Sequence, residues 1–553
     1  MRFIIPILFL FPGLLLAQIK KKQAINKPIP QKVMKLIYAG LIEKKDSLYE
    51  GNPLFTKNVH FEYDNAILKC DSAIIYQQKN TFQAFSNVYF SAQDTLQITA
   101  KQMFYDGSTR IVSAKGNVVL TGKDGVLKSE TVYYDRINQT AYFDTGGTLI
   151  SKENTVSSTY GTYYVKEKKT VFTDNVVVVS PNSNIKSDKA ISYNNNSKIE
   201  FIGNVAMDNK DYNITTQKTV YYPKQGKLDF FTNTTIVDKT NTTNTITTNN
   251  GVFYTKKKET FLNSRSTVRY GTRYLTGDKL YFNQTTGFGK ATGNVLIEEP
   301  KYDRFIKGEY AEVYKKKDSA FVTKNAVAVK SFGKDSLYIH SDTLYAVTNK
   351  KKENIVRAYH KARFYKSNLQ GKSDSITFNE AKGVISMHKK PIVWFGHTQL
   401  TGDVIHAHTV SKSQKMDSIL VKGNTFIINK VDTINVANKE YNQTKGNFLK
   451  AIFNDQNEVD SIKITGNAQS LVYVDDEDKK LKTKNRIGIN ISNCGVIIAT
   501  MKKKQIHTIN CQINADSKLY PESKLPENAR TFEGFLPRFS EKIKSSKEIL
   551  TSD

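Results

Sequence analysis

Cysteine, proline and tryptophan are scarce in this chain: 553 residues hold three, twelve and one of them. Three cysteines in so long a chain exclude a disulfide scaffold. Twelve prolines and 30 glycines exclude a collagen-like or low-complexity chain. Catalytic signatures are also missing. There is no GxSxG, P-loop or HExxH, and GFGKATG at 287–293 has the wrong spacing for a dinucleotide loop, so its glycines read as turn residues. No enzyme activity and no cofactor are expected. Beyond the first 17 residues no stretch approaches eighteen apolar residues, so no helical membrane span is expected after them.

Aromatic residues and positive charge are plentiful. Thirty tyrosines and 30 phenylalanines are too many for a disordered chain. Lys and Arg number 81 against 52 Asp and Glu, a formal charge of +29. Such an excess points to a polyanionic partner: nucleic acid, an anionic membrane face or a phosphorylated glycolipid. The charge is nevertheless spread along the chain, where lysine also guards strand edges, so it narrows the partners without choosing one.

Residues 1–17, MRFIIPILFLFPGLLLA, have Arg2, an apolar run and then Ala17, the pattern of a secretory signal peptide without a following lipidation cysteine. An exported chain does not meet nucleic acid, so that partner is not expected, although aromatics interleaved with lysine imitate a nucleic-acid platform. Cys494 and Cys511 could pair across a hairpin. Cys70 lies in a strand pattern and reads as a small buried apolar residue. His406 and His408 share a strand face and could ligate a metal, but partly exposed strand histidines with no supporting partner are the better reading, and no metal is expected.

A five-residue pattern recurs from Asp71 to Asp403, as in DSAII at 71, ETVYY at 130, KTVYY at 218, DKLYF at 278 and DSITF at 374. Its twelve starts lie 28–33 residues apart, with a mean close to 30. Gly-Asn-Val corners accompany it at 116–118, 203–205 and 293–295. The pattern has period two, so it is strand, and its third and fifth positions share one face. Thirty residues accommodate about three short strands joined by turns at the Asn-bearing corners. Twelve or more copies would then give roughly 36–42 strands in two facing sheets. The acidic residue that opens many copies reads as a solvated strand end. After residue 410 the repeat loosens, which suggests a repeat domain over 18–410, a C-terminal β-region over 411–520 and a polar tail over 521–553 with a short amphipathic helix in FSEKIKSSKEIL.

The segments GNVVLTGKDGVLKSETVYYD at 116–135, ILKCDSAIIY at 67–76, AQDTLQITAKQMFYDG at 92–107, PIVWFGHTQLTGDVI at 391–405 and LPENARTFEGF at 525–535 resemble the long OstA-like (organic-solvent-tolerance) family and the LptA/LptC lipopolysaccharide-transport proteins. The resemblance implies an all-β fold, an elongated antiparallel β-jelly-roll (β-taco) built from the 30-residue OstA-type repeats. It also implies a protein of the Gram-negative periplasm, possibly outer-membrane associated, that shields acyl chains of lipopolysaccharide or a related glycolipid and contributes to outer-membrane assembly. Its other expected partners are further lipopolysaccharide-transport proteins, by end-to-end strand pairing, and copies of itself. The residues expected to contact lipid are those of the third and fifth repeat positions: Met103, Tyr105, Val132, Tyr134, Val220, Tyr222, Leu280, Phe282, Ile376 and Phe378. The competing expectation is a structural or adhesive β-repeat protein of the cell envelope, whose same residues form a closed core without lipid.

Overall fold

Alternation of β-branched or aromatic residues with Lys, Asn and Thr favours half-buried strands, and strands dominate the fold. A computed structural model of the protein describes residues 34–63, 66–92, 96–122, 125–152, 154–181, 183–193, 197–410, 415–432, 439–478, 483–502 and 505–550. The expected signal peptide lies outside the described residues. Those residues form forty strands, with paired neighbours running antiparallel, and one α-helix of five residues, Ser546–Leu550. The fold is an antiparallel β-jelly-roll of repeats, as expected. The chain divides into two units, residues up to 138 and residues from 139 onward.

In the first unit the strands Leu54–Tyr63, Ala66–Tyr76, Thr81–Ala92, Leu96–Asp106, Ile111–Gly122 and Gly125–Asp135 pair in chain order. Each 30-residue repeat is therefore a hairpin of two long strands, where the sequence suggested three short ones. The difference lies at the corners. Every long pairing shifts register near its middle, as between Lys115 and Val118. There two residues, Gly116 at φ 81 and Asn117 at φ 49, oppose the single Glu130. This is a β-bulge, which bends the strand without ending its ladder. The Gly-Asn-Val corners are thus mid-strand bends and not turns between strands. Folding about these bends brings Val59, Phe61, Val88 and Val118 from one arm into the same core as Ala73, Ala84, Met103, Ala114 and Val132 from the other.

The acidic residue opening many repeats sits at the bend, not at a strand end. The Asn87 amide donates to Asp71 at 2.7 Å, Asn204 to Asp188 at 2.9 Å and Asn294 to Asp278 at 2.7 Å. At Asn117 and Asn294 a glutamate, Glu130 or Glu309, accepts the backbone N–H instead, at 3.2 and 3.1 Å. The bulge turns backbone amides out of the ladder, where Glu130 and Glu309 supply acceptors, while the aspartates hold the asparagine side chains. Ser86, Asp174 and Lys324 take the left-handed position before the asparagine at other bends, but at Gly293 a Cβ would also stand 2.7 Å from Asp278 Oδ2.

The second unit repeats the scheme. Lys169–Ser180, Ser183–Tyr193, Lys198–Asn209 and Tyr212–Tyr222 are bent strands of the same kind. Between 227 and 283 the corners interrupt the strand, so each arm is a separate strand of four or five residues. The pairing continues past 410, where the arms lengthen: Val459–Asp478 and Thr483–Lys502 have 20 residues each. Longer arms account for the wider spacing between the corners at Gly423 and Gly466. Cys494 and Cys511 form a disulfide across two adjacent strands. Cys70 is buried, and burial followed by the charge of Asp71 pushes its thiol up to about 12, which leaves it unreactive.

Residues 521–550 run back over the outer face of one arm as a strap. Residues one and three past each corner asparagine point inward, so Val327 and Val329, two and four past Asn325, point outward. Ile543 and Ile549 of the strap pack on them, while Leu525 packs on Leu471 and Ile489. Two buried glutamines hold the strap's backbone at both amide atoms. Gln443 donates to Arg530 O and accepts from Phe532 N, each at 2.9 Å. Gln399 donates to Leu536 O at 2.8 Å and accepts from Arg538 N at 2.6 Å. A side-chain amide used this way continues the pattern of a strand partner, and it satisfies a backbone that forms no ladder. The helix expected in FSEKIKSSKEIL is confined to Ser546–Leu550.

Candidate functional site

The bend creates an interior with two depths. Third-position residues lie next to the bend: Met103, Val132, Val220, Leu280 and Ile376 are all buried, none more than 4% exposed. Fifth-position residues lie two residues farther toward the strand end. Tyr105, Tyr134, Tyr222 and Phe282 are half-buried, and Phe378 is buried. The opposite arm repeats the gradient, with Val88 and Val118 buried and Phe90 and Leu120 half-buried. All ten expected residues therefore face the interior, with the third-position row buried at the apex and the fifth-position row, Phe378 excepted, half-buried on the flanks.

The mouth between the strand ends carries the site's charge. In the second unit, bonds cross it from one rim to the other. Tyr212 hydrogen-bonds Gln284, Lys315 Nζ lies 4.0 Å from the centre of the Tyr270 ring, and Arg273 pairs with Asp318. Farther along, Arg304 pairs with Glu380, which also accepts Lys330 at 3.0 Å. Glu299, 8% exposed, joins the two arginines, at 2.8 Å from Arg304 Nε and 3.3 Å from Arg273 Nε. Burial pushes the Asp318 carboxyl up, but hydrogen bonds from Arg273 and Thr348 outweigh it and hold the group below its ordinary value. Burial likewise opposes charge on Arg273, and Asp318 and Glu299 together raise it.

Behind this network lies an apolar cavity lined by Ile297, Ile306, Ala328, Leu337, Ile339 and Phe378. Sequence reasoning missed the network because its members share no repeat position; Arg304 and Glu380 are 76 residues apart. The lysine-rich turns beside it were the visible signal. His406 and His408 lie on the outer face, where His406 shares a 2.9 Å hydrogen bond with Ser386.

The interior is thus an apolar face of a repeated β-fold, buried at the bend, half-buried along the flanks and bordered by charge at the mouth. Residues 37–188 match the family model of the OstA-like protein, and residues 155–288 and 245–413 match that of the LptA/(LptD N-terminal domain) LPS transport protein. The matches together run from 37 to 413, and this part of the chain is of the OstA-like, lipopolysaccharide-transport type. These are transport domains and not enzyme families. No curated protein matches the chain.

Proposed function

We propose that the protein binds lipopolysaccharide or a related glycolipid in the periplasm and shields its acyl chains during outer-membrane assembly, without chemical conversion of the lipid. The half-buried inner row carries this reading: Tyr105, Tyr134, Tyr222 and Phe282 present apolar surface on flanks that are otherwise sealed at the apex. Each methylene moved from water onto such a surface contributes about 0.8 kcal/mol, so a multi-acyl lipid needs a long continuous face and not a deep pocket. Met103 and Val132 form the floor beneath the chains in the first unit, Val220, Leu280 and Ile376 form it in the second, and there Phe378 reaches the cavity wall. Sugar and phosphate groups stay at the mouth, near the rim lysines. Other transport proteins, and further copies of this chain, would join by strand pairing at sheet ends.

The test is to purify the full chain from its native envelope without detergent, extract it with organic solvent and identify the extract by mass spectrometry. Stoichiometric acylated glycolipid is the expected result. A folded, lipid-free preparation that also fails to take up added lipopolysaccharide would leave a structural or adhesive envelope protein.

A further inference from the structure

The cross-rim ion pairs stand where cargo would enter. Arg304 and Glu380 belong to opposite rims, and no backbone ladder joins the strand Arg304–Tyr314 to the strand Leu369–Asn379 that precedes Glu380. Their side chains are only about one-fifth exposed, 20% and 22%, yet both border the apolar cavity. The network is balanced, with Arg273, Arg304 and Lys330 facing Glu299, Asp318 and Glu380. Its surroundings are not. The lysine runs 256–258, 315–317 and 350–352 all fall in turns of the rim that carries Asp318 and Glu380. The facing turns at 299–304 and 332–335 carry as many acids as bases. An approaching anion is therefore drawn to one rim and meets two arginines on the other.

We propose that this network is a gate opened by a phosphorylated headgroup. The phosphate bridges the Lys315–Lys317 turn and the Arg273 and Arg304 guanidiniums, replaces Asp318 and Glu380 as their partner, and so parts the rims over the cavity for the acyl chains. Arginine suits the exchange because its planar fork donates to carboxylate and phosphate oxygens alike. A phosphate of higher charge competes well with a single carboxylate in a partly exposed site. The proposal rests on the lipid-binding reading and specifies which part of the lipid is recognised, and where.

The test compares binding of a bisphosphorylated multi-acyl glycolipid with its phosphate-free counterpart, using the full chain. The wild type should prefer the phosphorylated form at least tenfold, and the preference should shrink as salt rises. The double variant R273Q/R304Q, which removes the phosphate's partners along with the closing pairs, should bring the preference within twofold. E380Q should speed association of the phosphorylated lipid several-fold. Equal binding of the two lipids by the wild type, which needs no variant to fold, would overturn the gate and leave lipid binding standing. Retained preference in R273Q/R304Q would also overturn it. Inorganic phosphate binding these arginines as tightly as the lipid would make this a free-anion site and refute the gate. Failure of every form to bind either lipid would instead overturn the functional reading itself.

Discussion

The bend and the mouth of the repeat are built from opposite kinds of chemistry. At the bend, the same few elements recur about every 30 residues: a left-handed pair, a carboxylate that accepts its amides, and an apolar residue with no exposed surface. At the mouth little recurs. Rim turns differ in length and charge, and the pairs that cross from rim to rim join residues far apart in sequence. The repeated half makes the bend line of the fold, whereas on the proposed reading the unrepeated half selects what enters.

The strongest way to break that contrast is to empty both depths of the interior. Phe201 is fully buried, and Phe201→Ala should cost about 3–5 kcal/mol in urea unfolding. Phe282→Ala on the half-buried flank should cost distinctly less, about 1–2 kcal/mol. Equal losses would mean that the interior has no open flank.

The sealed outer face offers a pH test. His340 pairs across the sheet with Val327, on the side that the strap covers, and is 5% exposed. Burial, and then the Arg363 guanidinium, lower its value from 6.5 to about 4. Above 6.5 the imidazole is neutral whether the protein is folded or not. Between 6.5 and 4 only the unfolded chain takes up the proton, so stability should fall with pH across that window, by up to about 3 kcal/mol. His340→Gln should flatten this slope, as read from urea midpoints at several pH values.

Smaller effects sharpen the account of the hinge line. Gly293→Ala meets both a φ of +76 and Asp278, and should cost about 1–3 kcal/mol. Asn294→Ala removes one exposed amide donation to a carboxylate and should cost about 1 kcal/mol. Asp278 is held below its ordinary value first by that Asn294 bond and then by Arg265, so nuclear magnetic resonance titration should show its pKa rising in Asn294→Ala.

Much of the fold was legible because periodicity two and periodicity 30 are both written in side chains. Third- and fifth-position residues were placed on one face, and they share one face. Their division into floor and flank was not legible, because it depends on distance from a bend that the sequence disguises. Gly-Asn pairs announce left-handed backbone, which is commonest in turns; the same conformations in mid-strand make a bulge. The recurring separation of 16 residues between Asp71 and Asn87, Asp188 and Asn204, and Asp278 and Asn294 was available as a signal of their pairing. The charged mouth and the glutamine-held strap left no such trace, since Arg273 meets Asp318, and Gln443 meets Phe532, only once the arms have folded and stacked.

The central claim is that the half-buried inner row, and not the outer row beside it, carries acyl chains. Photoreactive residues placed in cells at Tyr134 and Tyr222, with Tyr133 and Tyr221 on the opposite face as controls, test it most directly. Lipopolysaccharide adducts at 134 and 222 but not at 133 and 221 are predicted. Adducts at neither pair in the folded protein, or equally at both, would contradict it.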